Sequence, residues 1–161
     1  MGFLSFLGLI YGKPIEVGAK APEISSIDQD GAKIDFAEVY KRGITLVYFY
    51  PKADTPGCTT EACSLRDAFA DLSTKGVQVL GVSTDKPEAQ KKFKEKYHLP
   101  FTLIADFDLK VVKAFGVPTI PVVQMAARQS FLIKDGKVVW RDLKASTKEQ
   151  ARDVLKVLET L

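Results

Sequence analysis

The chain is expected to fold as one α/β domain, with a mixed central β-sheet flanked by helices. Three observations lead to this. Apolar runs of strand length alternate with amphipathic helical stretches between residues 44 and 115. An antiparallel hairpin and a last helix follow them, which makes the sheet mixed rather than wholly parallel. The 161 residues, 46% of them hydrophobic, supply one substantial core, and no repeat, low-complexity tract or linker divides them.

The elements follow in order. From Val17 to Gly31, the residues Pro22, Asp28, Asp30 and Gly31 punctuate an irregular lead-in with short extended pieces. ITLVYFY, Ile44 to Tyr50, is a continuous β-branched and aromatic run, the mark of a strand covered on both faces, and Pro51 ends it. From Cys58 to Lys75, the residues Ala62, Leu65, Phe69 and Leu72 recur at helical spacing, with Gly76 as the stop. Val77 to Thr84 reads as the next strand. Pro87 to His98 reads as the next helix, opened by Asp85 and by a proline whose missing N–H does no harm in a first turn. Phe101 to Ala105 gives a third strand, and Leu109 to Phe115 a short helix closed at Gly116. Ser130 to Trp140 is a hairpin with Asp135-Gly136 at its tip. Thr147 to Leu161 completes the chain as a helix capped by Ser146 or Thr147, with Val154, Leu155 and Leu158 facing inward. This order suits a thioredoxin-like fold.

Composition narrows the function. With 23 basic against 20 acidic side chains, the charge balance gives no electrostatic case for nucleic acid. Lys91, Lys92, Lys94 and Lys96 alternate with Phe93 and Tyr97, a solvated helix face rather than a binding patch. The apolar start, with Phe3, Phe6, Leu7 and Ile10 at helical spacing, falls well short of the roughly 20 residues a membrane span needs. It also lacks the basic flank and cleavage site of a secretory signal, so a cytoplasmic location is expected. Residues 1–16 are expected to form an apolar extension packed on a domain of residues 17–161.

The chemistry concentrates in PKADTPGCTTEAC, where a central strand hands over to a helix at the strand's C-terminal end. Cys58 falls in the first turn of that helix, where unpaired N–H groups and the helix dipole favour an anion, and the thiolate is the reactive form of cysteine. Thr55 offers a hydroxyl to the sulfur or to a peroxide oxygen, and Pro51 and Pro56 stiffen the loop. Cys63 lies five residues on, a rotation of about 500° and a rise of about 7.5 Å along an intact helix, so a bond between the two would require the first turns to unwind. A permanent structural disulfide would therefore break a helix to close a very small loop. Zinc needs four ligands, and two cysteines with one distant His98, read as structural or exposed, do not readily supply them. The spacing Cys-x-x-x-x-Cys departs from the Cys-x-x-Cys of dithiol exchange proteins, and a pair of inert core cysteines stays open at this point.

At this stretch the sequence resembles the peroxiredoxins, whose pattern Pro-x-x-x-Thr-x-x-Cys is matched by Pro51, Thr55 and Cys58. Within them YFYPKADTPGCTTEACSLRD is similar to the bacterioferritin-comigratory, or peroxiredoxin Q, branch. The likeness runs from about Gly18 through VQVLGVSTDKPEAQKKF and the FGV near Gly116 to RQSFLIKDGKV and the C-terminus. The resemblance implies a thiol-dependent peroxidase of the atypical two-cysteine kind, with Cys58 peroxidatic and Cys63 resolving. Hydrogen peroxide and alkyl hydroperoxides would be its substrates, and a Cys58–Cys63 disulfide would be reopened by thioredoxin or a similar dithiol. No metal, haem or flavin is implied, and a monomer or weak homodimer is expected. It also assigns Arg128, just before SFLI, as the guanidinium that stabilises the thiolate and the charge growing on the peroxide oxygen. Glu61 matches a polar position of the branch and is read as a helix-start carboxylate. VPTIPVVQMAA, Val117 to Ala127, is shorter and more apolar than the branch's loop, which bears on the pocket rim and substrate preference. Two rival classes are a peroxide-sensing redox switch, which oxidises once and changes partners, and a thiol–disulfide oxidoreductase, which ignores peroxide.

Overall fold

The computed structural model describes residues 12–161. Its main sheet runs in the order β5 (Thr102–Ala105), β4 (Val77–Ser83), β3 (Ile44–Phe49), β6 (Gln129–Lys134), β7 (Lys137–Asp142). The first three are parallel, and β6 and β7 return antiparallel, giving the expected mixed sheet. A separate two-stranded ribbon, β1 (Ser25–Ile27) with β2 (Lys33–Asp35), occupies part of the lead-in.

The pleat of β3 divides the core. Val47 and Phe49 point to one face, where they meet α1 (Phe36–Arg42) through Phe36 and Val39, and α5 (Lys110–Phe115) through Val112 and Phe115. Leu46 and Tyr48 point to the other. There they meet α2 (Pro56–Asp67), α3 (Phe69–Thr74), α4 (Pro87–Tyr97) and α6 (Gln150–Leu158) through Leu65, Leu72, Phe93 and Val154. Cys58 belongs to this second cluster.

Turns follow their chemistry. The β6–β7 tip places Asp135 and Gly136 at φ 52° and 75°, the double left-handed turn that matches strand twist in tight hairpins. Gly116 closes α5 at φ 68°, and a Cβ there would lie 1.9 Å from the Lys13 carbonyl, so only glycine lets the incoming chain cross. That crossing is tied by Ile15 N–H to Phe115 O and by Arg141 to the carbonyls of Pro14 and Ile15. Both sheet edges are covered in part. The lead-in bonds Val138 of β7 through Gly18 and Ala19 and the turn residue Gly136 through Ala21, and on β5 Asp28 bridges Ile104 while Gln29 Oε1 accepts from Leu103 N–H.

Several boundaries differ from expectation. Phe36–Arg42 is a helix capped by Asp35, whose carboxylate accepts from Ala37 N–H. The stretch expected as one helix from Cys58 to Lys75 begins at Pro56 and breaks at Ala68, which leaves helical geometry at φ −96°, ψ 2°. The final helix starts at Gln150. Ser146 Oγ accepts from Glu149 N–H, so it caps a turn ahead of the helix rather than the helix itself. His98 is exposed and ends α4 in a left-handed conformation. The apolar positions Phe3, Phe6, Leu7 and Ile10 lie outside the described residues. Among the described residues no helix is long and apolar enough to cross a membrane.

Gly81 on β4 shows how tightly the second layer is filled. A Cβ there would stand 2.8 Å from Leu103 Cδ2 and 3.0 Å from the Tyr48 ring. Gly81→Ala is therefore expected to overpack this face and destabilise by about 1–3 kcal/mol. A lower urea midpoint with unchanged slope would register it, and an unchanged midpoint would contradict it.

Candidate active site

The site begins where β3 stops. The loop after Pro51 is clamped from both sides. Ala53 N–H donates to Asp85 Oδ2 at 2.8 Å, and Ser83 Oγ donates to the same oxygen at 2.7 Å. Asp54, held at φ 58°, accepts from Lys96 Nζ at 2.9 Å and from the Tyr97 hydroxyl at 2.9 Å, fixing the loop to α4. Thr55 then turns the chain into α2 as its N-cap residue, with Pro56 in the first turn. Its hydroxyl donates to Lys52 O at 2.7 Å and so closes the loop; of the two roles expected for it, the bond to the sulfur is not made, while its oxygen stays a candidate partner for a peroxide.

Cys58 is the third residue of α2 and is buried. The first helical bond is made by Thr59 N–H to Thr55 O, so the Cys58 N–H is among the donors a helix start leaves unpaired. Arg128 arrives from the opposite side of the sequence, directly before β6, with its carbonyl bonded by Ala145 N–H. Its fork spans two partners: Nη2 donates to Cys58 Sγ at 3.3 Å, and Nη1 donates to Glu61 Oε1 at 2.7 Å. Gly57 leaves the room for this, because a Cβ there would come within 3.1 Å of Nη2. The fold thus brings Cys58 and Arg128 together, with Pro51 and Thr55 shaping the loop between strand and helix.

Glu61 differs from its expected role. It is wholly buried instead of lying on the exposed helix start, and its Oε2 has no hydrogen-bond partner among the described residues; neither does the buried Tyr48 hydroxyl. The inward stripe of α2 carries Cys58, Glu61, Ala62 and Leu65, the i, i+3, i+4, i+7 pattern, so helical spacing alone assigns Glu61 to the inner face. Burial pushes its carboxyl up to about 8, against the opposing pull of Arg128. Burial, then the neighbouring Tyr50, Glu61 and Cys58, likewise hold the Tyr48 phenol well above its usual value.

The raised Glu61 value fixes a sign. Between its ordinary 4.5 and about 8 the folded protein keeps a proton that the unfolded chain has lost. Stability is therefore expected to fall as pH rises across that window and to level off above it. Asp106, raised to about 6 by burial against the Val111 and Val112 N–H bonds, adds a slope of the same sign at lower pH. Subtracting the urea-midpoint profile of Glu61→Gln from that of the wild type isolates the Glu61 part. A difference that stays constant from pH 5 to 8 would refute it.

Cys58 and Cys63 are both free thiols on an unbroken stretch of helix, Cys63 half-buried. Beside the loop lies a cavity of about 570 Å³ lined by Pro51, Lys52, Thr55, Thr84, Asp85, Val123 and Met125.

Against known proteins, residues 17–141 match the model of the AhpC/TSA family. Peroxiredoxin Bcp of Escherichia coli is 50% identical over 104 residues, covering 65% of this chain and 66% of that protein. The chloroplastic peroxiredoxin Q of Oryza sativa subsp. japonica is 36% identical over 155 residues, covering 95% of this chain and 70% of that one. Among solved structures, the crystal structure of peroxidoxin BcpB from Mycobacterium tuberculosis superposes with a TM-score of 0.85 at 28% identity, covering 91% of this chain and 98% of that one.

Proposed function

The chain belongs to the AhpC/TSA family, alongside the Bcp and Q peroxiredoxins, and from that premise we propose that it is a thiol peroxidase whose nucleophile is Cys58. The single observation that carries the assignment is the contact of Arg128 Nη2 with Cys58 Sγ at 3.3 Å in the first turn of a helix. Positive charge from the guanidinium and unpaired N–H groups meet at one sulfur, which suits the negative charge carried there and on the departing oxygen during attack.

The thiolate attacks the terminal peroxide oxygen, the O–O bond breaks, and the departing oxygen takes a proton to leave as water or an alcohol. Cys58 becomes a sulfenic acid. Cys63 then attacks that sulfur, expels water and closes a disulfide, and a dithiol such as thioredoxin reopens it with two electrons and two protons. Because α2 places the two cysteines about 500° and about 7.5 Å apart, its first turns must open for this bond to form. Helix ends open at far less cost than the whole fold. Pro51 and Thr55 serve by holding the loop in place. Peroxide and a dithiol protein are then the partners, the enzyme works as a monomer or weak homodimer, and its two free thiols suit the reducing cytoplasm.

A coupled assay with thioredoxin, thioredoxin reductase and NADPH tests this. Many turnovers per molecule are expected with hydrogen peroxide. A single stoichiometric oxidation, after which NADPH consumption stops, would instead mark a redox switch.

A further inference from the structure

Four residues separate Cys58 from Cys63, and one of them, Glu61, is the wholly buried carboxyl group of the site. It lies on the inward stripe of α2 between Cys58 and Leu65, so the turn that has to open for a Cys58–Cys63 bond is the turn that carries Glu61 into the core. Inside, the side chain has one anchor. Oε1 accepts from Arg128 Nη1 at 2.7 Å, while Oε2 and the Tyr48 hydroxyl of β3 stand buried with no partner among the described residues.

Few charged or titratable groups face this carboxyl. Arg128, arriving just before β6, pulls it toward the ionised form, and Asp142 of β7 pushes the other way, as burial does. From α6, Asp153 acts on Asp142 rather than on Glu61. Tyr48 stays neutral because burial holds its phenol well above the ordinary value, and Cys58 of α2 enters the bond itself. Burial outweighs Arg128, and the closed site keeps the Glu61 proton up to about 8 against an ordinary 4.5.

Resting on the disulfide cycle proposed above, we infer that Glu61 is a positioning residue for the resolving step: it latches the first turns of α2 through Arg128 and has to leave the core before Cys58 can meet Cys63. Leaving returns the carboxyl group to water, where it ionises above its ordinary 4.5. Between 4.5 and about 8, conversion of the closed dithiol to the open disulfide therefore gives up two electrons and three protons, two from the thiols and the third from Glu61. A reducing dithiol returns the two electrons and two of the protons, and solvent supplies the third as α2 rewinds. The closed form holds its full advantage at low pH and loses it as pH rises through that window. The disulfide then gains by as much as about tenfold per pH unit beyond what the thiols alone contribute, and the extra gain ends above about 8.

The test equilibrates the full chain with dithiothreitol redox buffers from pH 5 to 9 and reads the Cys58–Cys63 disulfide by mass after acid quenching and alkylation. Glu61→Gln supplies the reference, a neutral side chain of the same shape that keeps an acceptor for Arg128, and Glu61→Leu is a second neutral variant should the first fold poorly. Relative to either, the wild-type equilibrium is expected to move toward the disulfide by about tenfold per pH unit, about 30 mV for a two-electron couple, and to run parallel above pH 8. Glu88→Gln, at an exposed position, should keep the wild-type slope. Parallel profiles for the wild type and the neutral variants from pH 5 to 8, whether superimposed or offset by a constant, would report a merely structural role and overturn the inference while leaving the peroxidase reading intact. A divergence of opposite sign overturns it too. If one equivalent of hydrogen peroxide leaves no Cys58–Cys63 bond in the wild type, the cycle beneath the inference fails with it.

Discussion

Cys58→Ser is expected to end peroxide turnover, with a loss of roughly 10³-fold or more, since the nucleophile itself is removed. Serine is close in size to cysteine, and position 58 sits in a cluster otherwise unchanged, so the melting temperature should shift little. Cys63→Ser offers the informative contrast. Its Cys58 should still react once with peroxide and accumulate as sulfenic acid, detectable by mass after trapping with dimedone, but it should not cycle through an intramolecular disulfide. Peroxide consumption that persists in Cys58→Ser would place the reaction elsewhere in the chain.

The second large effect belongs to Arg128. One guanidinium serves both the Cys58 sulfur and the Glu61 carboxyl group, at 3.3 Å and 2.7 Å, so Arg128→Met removes the charge from the nucleophile and the partner from Glu61 together. A loss of about 10²–10³ in kcat/KM is expected, the scale seen when one preorganised donor is taken from a developing oxyanion. Arg128→Lys should recover only part of it, because an ammonium lacks the planar fork that spans the two partners. Stability supplies a separate readout. Glu61 keeps its proton up to about 8 even with Arg128 beside it. Without that cation its folded-state value rises further, and stability should go on falling above pH 8 where the wild type levels off. Equal pH profiles for the two proteins would show that the pair does not couple in this way.

The sequence made the central architecture readable because its strongest signals are periodic. Ile44–Phe49 could be recognised as a doubly covered strand from its unbroken apolar run, and the β6–β7 hairpin from Asp135-Gly136. The helix Phe36–Arg42 leaves a weak signal, though Asp35, Phe36, Val39, Tyr40 and Gly43 spell a capped, amphipathic pair of turns; at seven residues it is too short for periodicity to stand out. The break at Ala68 was hidden for the opposite reason: Leu65, Phe69 and Leu72 keep helical spacing across it, so the pattern does not register the interruption.

The site divides along similar lines. The loop, Cys58 and Cys63 were legible from a local motif. The pairing of Arg128 with Cys58 rested on resemblance, because 70 residues separate the two and only the sheet brings them together. Glu61 departs from its expected role because carboxylates near helix starts are ordinarily solvated partners of the dipole. Its burial depends on which face of α2 meets β3, and the spacing from Cys58 through Leu65 carried that information. The Thr55 hydroxyl, turned to Lys52 O, reflects loop closure that side-chain type does not specify.

If the start of α2 opens as the proposed cycle requires, part of one sheet face is uncovered, including aromatic surface around Tyr48. The rims of that sheet are shielded in part, since the lead-in pairs with the start of β7 at Lys137 and Val138 and the β1–β2 turn covers β5 at Leu103 and Ile104. A second molecule meeting that opened form would find an apolar patch beside edges whose amide rows are already shortened by these pairings.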